Sequence, residues 1–483
     1  MLTKSTTAAS LAALLTAVSL GGCQTLAPDY VQPAMAAPSA WPQGPAFANA
    51  KVASATTASD IGWAEFFTDA KLKKLIALAI DNNRDLRVSA LNIAKARATY
   101  QAQNAQLLPH VDLSGSMTAQ RQPGTSGGTQ NVISRSGSFG VGTSSFEIDF
   151  FGRLQSLSQQ QLENYLASDE AQRTTYLTLV SDVANAYATL AADKDRLRLA
   201  ENTLKSQQTS LDLTRRSLNA GTSTDLAVAQ AQTSVESARG DVSTYTAQVA
   251  QDVNALALYL GASVPPELMP SSLSAIAAPR PVPVGLPSDV LLRRPDILEA
   301  EHKLKGANAN IGAARAAFFP SITLTANTGT SQALSRLFKA GSGAWVFSPN
   351  VNLPIFDGGM NLANLRGAET DREIYVAQYE KAVQSAFREV VDALATRGTI
   401  GPRVSSQTAL VDAYQRSYDL SMTRFREGID NYLSVLQSQQ SLYAAQQNLI
   451  TLRLSRMTNA ATLYKVLGGG WMPGSTGSKV AGL

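Results

Sequence analysis

The chain is poor in the residues that enzymes and metal proteins use most often for chemistry. Its 483 residues include one cysteine and only two histidines, His110 and His302, which lack the spacing of metal ligands. A single cysteine cannot form a disulfide within the chain. The sequence contains no Gly-Lys-Thr phosphate loop, no Gly-x-Ser-x-Gly motif and no Cys–His pair. These absences argue against an enzyme, a resident metal and a built-in nucleotide motor.

Charge and long apolar runs are scarce as well. Only 16% of the residues are charged, and the formal net charge is +4, so nothing indicates a nucleic-acid partner. Residues 8–20 form an apolar run that is typical of a signal peptide and too short to span a bilayer.

That apolar run ends in Leu-Gly-Gly-Cys at residues 20–23, which resembles a bacterial lipobox. In such proteins the chain is cut before the cysteine, its thiol receives diacylglycerol, and the new amino group is acylated. We therefore interpret residues 1–22 as a lipoprotein signal peptide and Cys23 as the lipid-attachment site, with this lipid as the only expected cofactor. Gln24 at the next position favours the outer membrane within this class. An ordinary secretory signal with an incidental cysteine is the alternative.

Long helices are predicted to dominate the rest of the chain. Residues 158–220 contain no proline and no glycine, and apolar residues recur there at every seventh position. This repeat is typical of a helix that coils against other helices. The repeated positions are Tyr176, Val183, Leu190, Leu197, Leu204, Leu211 and Leu218. Such a helix is about 95 Å long at 1.5 Å per residue, which is too long for the core of a small domain.

The same pattern returns 207 residues later in the chain. The equivalent apolar positions are Val383, Val390, Val404, Val411, Tyr418 and Phe425. Only Leu190 is matched by a polar residue, Arg397, and the turn glycine Gly221 is matched by Gly428. A constant shift over so many positions predicts an internal two-fold repeat. Two unrelated helical hairpins are the alternative.

The repeat divides the chain into segments. Residues 23–60 are rich in Pro, Ala and Ser and are predicted to form an extended, lipidated tether. The other predicted segments are a first repeat at 61–262, a Pro-rich linker at 263–288, a second repeat at 289–470 and a flexible tail at 471–483.

Shorter helices are predicted at the start of each repeat. In the first repeat they cover residues 63–80 and 85–107, and Pro109 ends the second of them. In the second repeat, Ser288 and Asp289 are predicted to cap one helix that runs to residue 318. The second long helix is expected to break between residues 398 and 402, because Pro402 cannot donate a helical hydrogen bond.

Between these helices the apolar period changes from 3.6 to 2. Residues of about 109–150 and 320–357 are predicted as β-hairpins in which apolar residues alternate with uncharged polar ones. Each strand is long enough to cross a membrane at a tilt. Four strands cannot close, and open edges are not tolerated in lipid, so several copies must pool their strands. A soluble antiparallel sheet is the alternative.

The fold class that follows is a membrane α+β protein. Eight strands from two copies would leave an interior filled by side chains, whereas twelve from three copies open a lumen. We therefore predict a trimeric, shared transmembrane β-barrel with four strands per chain and twelve in all. It is predicted to continue into a long periplasmic α-helical barrel.

Six short segments carry a resemblance to a known family. They are Pro-Asp-Tyr at 28–30, Asp-Ile-Gly-Trp at 60–63, Asn-Asn-Arg-Asp-Leu-Arg at 82–87, Leu-Leu-Arg-Arg-Pro-Asp-Ile at 291–297, Ile-Gly-Ala-Ala-Arg-Ala-Ala-Phe-Phe-Pro at 311–320 and Gly-Ile-Asp-Asn-Tyr-Leu at 428–433. Together they resemble the outer-membrane factor family of TolC-like channels. The resemblance is strongest to the OprM-type lipoprotein subunits of resistance-nodulation-division (RND) efflux systems.

The resemblance implies a homotrimer in the outer membrane of a Gram-negative bacterium, with outer-membrane lipid around it and a large periplasmic part. It also implies a periplasmic adaptor protein and an inner-membrane, proton-driven RND pump as partners. The leading hypothesis is a passive exit duct for antibiotics and other small toxic compounds. A type I protein-secretion exit duct and a lipid-anchored coiled-coil spacer without a pore are the alternatives.

The family places a closable aperture at the periplasmic tips, just after the turn of the second half. Leu433 matches its hydrophobic ring position, and Gln437 stands where many relatives carry an aspartate. The shift of 207 residues puts Leu226 and Gln230 at the equivalent places of the first half. An apolar constriction can block ions by dewetting, although Leu433 could instead pack between helices.

The turns themselves resemble the adaptor-docking end of the family. Gly221, Thr222 and Gly428 lie in these turns and are candidate docking residues. The alternative is that the glycines only supply the backbone conformation that a tight turn needs.

Overall fold

The fold is taken from a computed structural model, which describes residues 25–48, 58–123, 131–284 and 290–470. The predicted signal peptide, Cys23, the Ser288–Asp289 cap and the predicted tail lie outside the described residues. The chain forms two compact units. The first, here called the sheet unit, contains Asn92–Asp169, Glu299–Tyr379 and the chain up to Ala34; the second, here called the helical unit, contains Met35–Leu91, Glu170–Leu298 and the chain from Glu380 onward.

The sheet unit contains one antiparallel sheet of four strands in the order β1-β2-β3-β4. The strands are β1 Asp112–Pro123, β2 Asn131–Ile148, β3 Ser321–Ala333 and β4 Gly343–Asn352. Both predicted hairpins are present within their predicted ranges. The pairing of β2 with β3, with Gly140 opposite Gly329, joins two hairpins that are far apart in sequence.

Eight α-helices are described in these ranges of the chain. They are α1 Trp63–Phe66, α2 Ala70–Asn82, α3 Arg84–Ala105, α4 Arg153–Asn219, α5 Asp225–Leu260, α6 Pro295–Ala316, α7 Met360–Arg426 and α8 Tyr432–Val466. The two longest, α4 and α7, have 67 residues each, in agreement with the heptad pattern. None of the helices in the described part of the chain is both long and apolar enough to cross a membrane.

The single helix predicted at residues 63–80 is wrong. The structure has two helices there, separated at residues 67–69. Phe67 is extended, and the Asp69 side chain accepts a hydrogen bond of 2.8 Å from the backbone N–H of Leu72. A side chain that caps a helix in this way favours a new start over continuation of the previous turn.

The second repeat departs from prediction in a similar way. A continuous helix to residue 318 was expected, but residues 292–293 form a turn and α6 begins at Pro295. Proline disfavours helical backbone at the residue before it and is well suited to the first helical position. Pro295 therefore starts a helix rather than continuing one.

The break expected between residues 398 and 402 is also wrong. Helix α7 runs through Pro402 without interruption. A proline inside a helix costs about 3 kcal/mol, and the part of α7 that precedes Pro402 is well packed, with Val390, Leu394 and Ile400 buried. Close packing is evident one turn earlier, where a side chain at Gly398 would collide with the carbonyl of Ala46.

The core of the helical unit lies where α1 and α2 meet the long helices. Phe66, Leu75, Tyr187, Leu190 and Tyr464 are all almost fully buried there. The rings of Phe66 and Tyr464 stack with centroids 4.3 Å apart. The heptad residue Leu190 thus lies in this core, which explains why the apolar repeat of α4 is kept at that position.

The described part of the predicted tether, residues 25–48, is mostly irregular and packs closely on the protein. Residues 25–48 contain one short helical turn, Pro45–Phe47. In the sheet unit, the Tyr30 hydroxyl donates a 3.3 Å hydrogen bond to Glu301. In the helical unit, the ring of Trp41 stacks on that of Phe387 at 5.3 Å. These contacts make the stretch part of the folded body.

Candidate functional site

One face of the four-stranded sheet is apolar and exposed. The register places Leu113 opposite Val141 and Ile322 opposite Val351, so apolar residues from all four strands share this face. Its most exposed large side chains are Leu113, Met117, Ile133, Trp345, Phe347 and Val351, each at least 60% exposed. A soluble sheet normally covers such a face with a second layer, since a continuous apolar surface that spans four strands is unusual in water.

The opposite face is polar and uncharged over most of its length. Ser116 pairs with Ser138, and their hydroxyl groups are 2.8 Å apart. Thr323 and Asn350 pair on the same face farther along the sheet. The alternation predicted from the sequence therefore separates into one apolar face and one face that suits water.

A β-bulge in β2 maintains this separation. The register shifts between Thr143 and Phe146, and Ser145 adopts a left-handed conformation with φ of 55°. The Ser145 backbone N–H donates a 3.1 Å hydrogen bond to the Thr325 hydroxyl. The extra residue returns Phe146 and Ile148 to the apolar face. Without the bulge, these two side chains would point to the polar face.

The sheet has two open edges. Among the described strands, β1 pairs only with β2, and β4 pairs only with β3. Open edges with unpaired backbone groups are costly in a hydrophobic environment. The arrangement therefore needs further strands at both edges if the apolar face lies in lipid.

Each hairpin leads into a long helix through an aspartate whose capping role was not predicted from the sequence. Asp149 accepts hydrogen bonds from the backbone N–H groups of Arg153 and Gln155, at 2.7 and 2.8 Å. Asp357 does the same for Gly359 and Asn361, at 2.9 and 2.8 Å. An acidic residue just before a predicted helix is a recognisable capping signal. The backbone N–H groups of Asn361 and Gly359 hold the pKa of Asp357 below its usual value.

Glu147 lies beside the first of these caps. The guanidinium of Arg153 donates to both of its carboxylate oxygens, at 2.8 and 2.6 Å. Glu147 and Asp149 thus position the start of α4.

The two turns between the long helices have the same backbone conformation. Gly221 and Gly428 both have φ of 73°. The Thr222 backbone N–H donates to the Ser217 carbonyl, and the corresponding bond in the second turn has the same length of 2.9 Å. A left-handed conformation of this kind favours glycine. The glycines therefore form the turns, and any docking role for Gly221, Thr222 and Gly428 remains a hypothesis.

Below the turns, the two helical hairpins share an apolar cluster, here called the tip core. It contains Leu211, Ala231, Val235, Met422, Tyr432, Val435 and Leu436. Tyr432 links it to the first hairpin, because its hydroxyl donates a 3.3 Å hydrogen bond to Gln207. Burial raises the pKa of Tyr432 to about 12. Ser206 and Tyr418 make a second link, with hydroxyl groups 3.0 Å apart.

The candidate aperture residues lie beside the tip core but outside it. Leu433 is 42% exposed and Leu226 is 67% exposed. Gln437 is exposed, and Gln230 is partly buried. Since Leu433 is absent from the tip core of its own chain, packing within this hairpin does not account for it.

The model of the outer membrane efflux protein family matches residues 75–262 and 286–469. The chain belongs to the outer membrane efflux protein family. It is therefore an outer-membrane protein of Gram-negative bacteria with a large periplasmic part, as the sequence analysis expected.

Individual members of this family match nearly the whole chain. The antibiotic efflux pump outer membrane protein ArpC of Pseudomonas putida is 48% identical over 464 residues, 95% of each chain. The cation efflux system protein CusC of Escherichia coli is 41% identical, covering 94% of this chain and 97% of CusC. Among solved structures, the open state of the Neisseria gonorrhoeae MtrE outer membrane channel superposes with a TM-score of 0.82 at 36% identity. That match covers 92% of this chain and 98% of MtrE.

Proposed function

We propose that three copies of the chain form one channel. Each copy contributes four strands to a twelve-stranded barrel in the outer membrane, and its long helices contribute to a periplasmic helical barrel. The observation that carries this proposal is the sheet, which has an exposed apolar face and two unpaired edges. Strands from neighbouring copies satisfy both needs, because they pair the edges while the apolar face contacts lipid.

The channel is a passive exit duct of a tripartite efflux pump. A periplasmic adaptor and an inner-membrane RND pump supply the energy and open the duct, since the sequence has no nucleotide-binding motif. The polar face of the sheet lines a lumen that suits water and dissolved compounds. For the cargo we favour antibiotics and other small organic compounds over cations, because the identity with ArpC, at 48%, exceeds that with CusC, at 41%.

Leu433 and Gln437 line the periplasmic aperture in this proposal, with Leu226 and Gln230 beside them. Three exposed Leu433 side chains near the axis form an apolar constriction that excludes ions. The turns at Gly221, Thr222 and Gly428 face the adaptor. Their exposure supports a contact surface.

We also infer that the two halves arose by duplication. The family model matches each half separately, and the glycines of both turns have the same φ. A third similarity lies at the base of the returning helices, where Asn83 donates to the Tyr259 carbonyl and Arg294 donates to the Val466 carbonyl. Tyr259 and Val466 are 207 residues apart.

A planar-bilayer measurement tests the pore. The purified protein is expected to show a small and mostly closed conductance, and deletion of its gene is expected to raise sensitivity to antibiotics. A protein without conductance would instead be a spacer. Loss of secretion of a protein, with drug sensitivity unchanged, would point to a type I secretion duct.

The lipid anchor has its own test. We propose that Cys23 carries diacylglycerol and an N-linked acyl chain. Cys23→Ser is expected to abolish incorporation of labelled palmitate while the protein still assembles, since the barrel holds it in the membrane. Unchanged labelling of Cys23→Ser would show that the lipid is attached elsewhere.

A further inference from the structure

Charge is distributed unevenly along the β-hairpins. Residues 113–146 and 321–356 contain no aspartate and no glutamate. Their positive side chains are Arg121, Arg135, Arg336 and Lys339. All four are exposed and lie toward the hairpin ends that are far from the helices. Because the helices form the periplasmic part, these ends belong to the outer surface of the membrane.

Two of the cations lie on the apolar face. The register pairs Arg121 with Ile133 and Arg135 with Ala119, in line with Met117 on the same face. Diagonal neighbours on adjacent strands are about 7 Å apart. Arg121 and Arg135 are therefore close enough to contact one anionic group, and both follow the apolar band toward the outer surface.

The connection between β3 and β4 folds onto that same face. Leu337 packs against Gly137, where an added side chain would come within 3.3 Å of it. The ring of Phe338 meets that of Phe139 edge-on, with centroids 5.9 Å apart. Phe338 nevertheless remains 74% exposed. The cations Arg336 and Lys339 flank these two apolar side chains in sequence and are also exposed.

The result is one mixed surface, here called the outer cationic patch. It consists of Arg121, Arg135, Arg336, Leu337, Phe338 and Lys339. Apolar side chains that remain exposed beside clustered cations suit an amphiphile with acyl chains and anionic head groups. Arginine in particular binds phosphate through parallel hydrogen bonds.

We propose that the outer cationic patch binds the phosphate groups of the phosphorylated glycolipid of the outer leaflet, whose acyl chains contact Phe338. The proposal rests on the assignment of the apolar face to lipid made under Proposed function. It excludes the lumen as the site of binding, because Arg121 and Arg135 lie on the face opposite the polar one.

The test measures retention of lipid A by the purified, full-length protein in mild detergent, using native mass spectrometry. The triple variant Arg135→Gln, Arg336→Gln and Lys339→Gln is compared with a control triple variant, Arg87→Gln, Lys95→Gln and Arg97→Gln. The control removes the same charges from exposed positions of α3. We expect the patch variant to bind lipid A at least about tenfold more weakly and the control to bind as the wild type does.

A second arm needs no variant. Wild-type protein is expected to bind dephosphorylated lipid A as weakly as the patch variant binds phosphorylated lipid A. Equal binding of both lipids, or unchanged binding by the patch variant, would overturn the proposal. Altered anion selectivity of the pore, with lipid A binding unchanged, would do the same and place the cations at the mouth of the lumen. Conductance is recorded on the same samples. A conducting protein that does not bind lipid A would overturn only this proposal, whereas a protein without conductance would contradict the proposed channel.

Discussion

The two turns that join the long helices to the returning helices have the same backbone conformation but different side chains. Tyr432 of the second hairpin is buried in the tip core, whereas Asp225, 207 residues earlier, is exposed. Arg424 and Asp430 form an ion pair across the second turn, and the equivalent positions of the first are Ser217 and Ser223. Glycine and a capping side chain are enough to form the turn. The other positions were therefore free to diverge, and the second hairpin carries most of the added interactions.

The largest difference in stability between the two hairpins is expected at Tyr432. Tyr432→Ala removes a buried ring from the tip core and is expected to cost about 3 kcal/mol of local stability. Amide hydrogen exchange across the start of α8 measures it. Asp225→Ala, at the equivalent exposed position, should change the local free energy of opening at the start of α5 by about 0.5 kcal/mol or less. Comparable effects of the two variants would mean that the hairpins are equally supported.

The aperture hypothesis predicts a second asymmetry. Leu433→Ser should raise single-channel conductance in planar bilayers, because a polar constriction stays wet. Leu226→Ser, its counterpart in the first hairpin, should raise it less. An unchanged pore in Leu433→Ser would remove this residue from the aperture.

The third asymmetry is in the pH response. Asp193 and Asp252 face each other between α4 and α5, whereas the equivalent residues of the second hairpin are Ile400 and Asn459. Burial, followed by the hydrogen bond to Asp193, raises the pKa of Asp252 from 3.8 to about 6. A raised pKa means that the carboxyl supports folding below pH 3.8 and that this support is lost as pH rises through about 6.

Replacing the Asp252 carboxyl tests the direction in which stability changes with pH. Asp252→Asn should raise the melting temperature relative to wild type at pH 7.5, and the gain should shrink toward pH 4. Asp182→Asn serves as a comparison, because burial also raises the pKa of Asp182 but the charge that acts on it is that of Lys465, not of a second carboxylate. A stability gain independent of pH would show that the Asp193–Asp252 contact does not titrate in this range.

The smallest effect is expected at the exposed ion pair. The Arg424 guanidinium donates to both oxygens of Asp430, at 2.6 and 3.1 Å, and this hydrogen bonding lowers the pKa of Asp430. The ionised Asp430 carboxylate therefore stabilises the second turn at neutral pH, and this stabilisation is lost as pH falls through the lowered pKa. Asp430→Asn should slightly speed hydrogen exchange in the second turn, and 1 M salt should erase the difference from wild type. Persistence of the difference in salt would indicate a structural role for the Asp430 side chain.

The sequence predicted the regular parts of the molecule well. The returning helix α5 lies at Asp225–Leu260, and both of its ends are marked in the sequence. Local signals sufficed there, because Thr224 caps its start and Gly261 ends it in a left-handed conformation. The face of the sheet that is apolar also followed from alternation alone. The capping roles of Asp149 and Asp357 were missed, although an acidic residue just before a helix is an informative signal.

What the sequence determined by itself was local: helix ends, turns, and the alternation that makes one sheet face apolar. Tertiary structure decided what depends on distant partners. The apolar positions of β2 change phase between Val141 and Phe146, but how the extra residue is accommodated, with Ser145 bonded to Thr325, is decided by pairing with β3. The continuity of α7 through Pro402 goes with tertiary packing just before it, where Ile400 is buried and Gly398 lies against the backbone of Ala46. The intrinsic helix preference of a residue is worth at most about 1 kcal/mol for most residue types. It therefore decides the local structure only where tertiary packing does not oppose it.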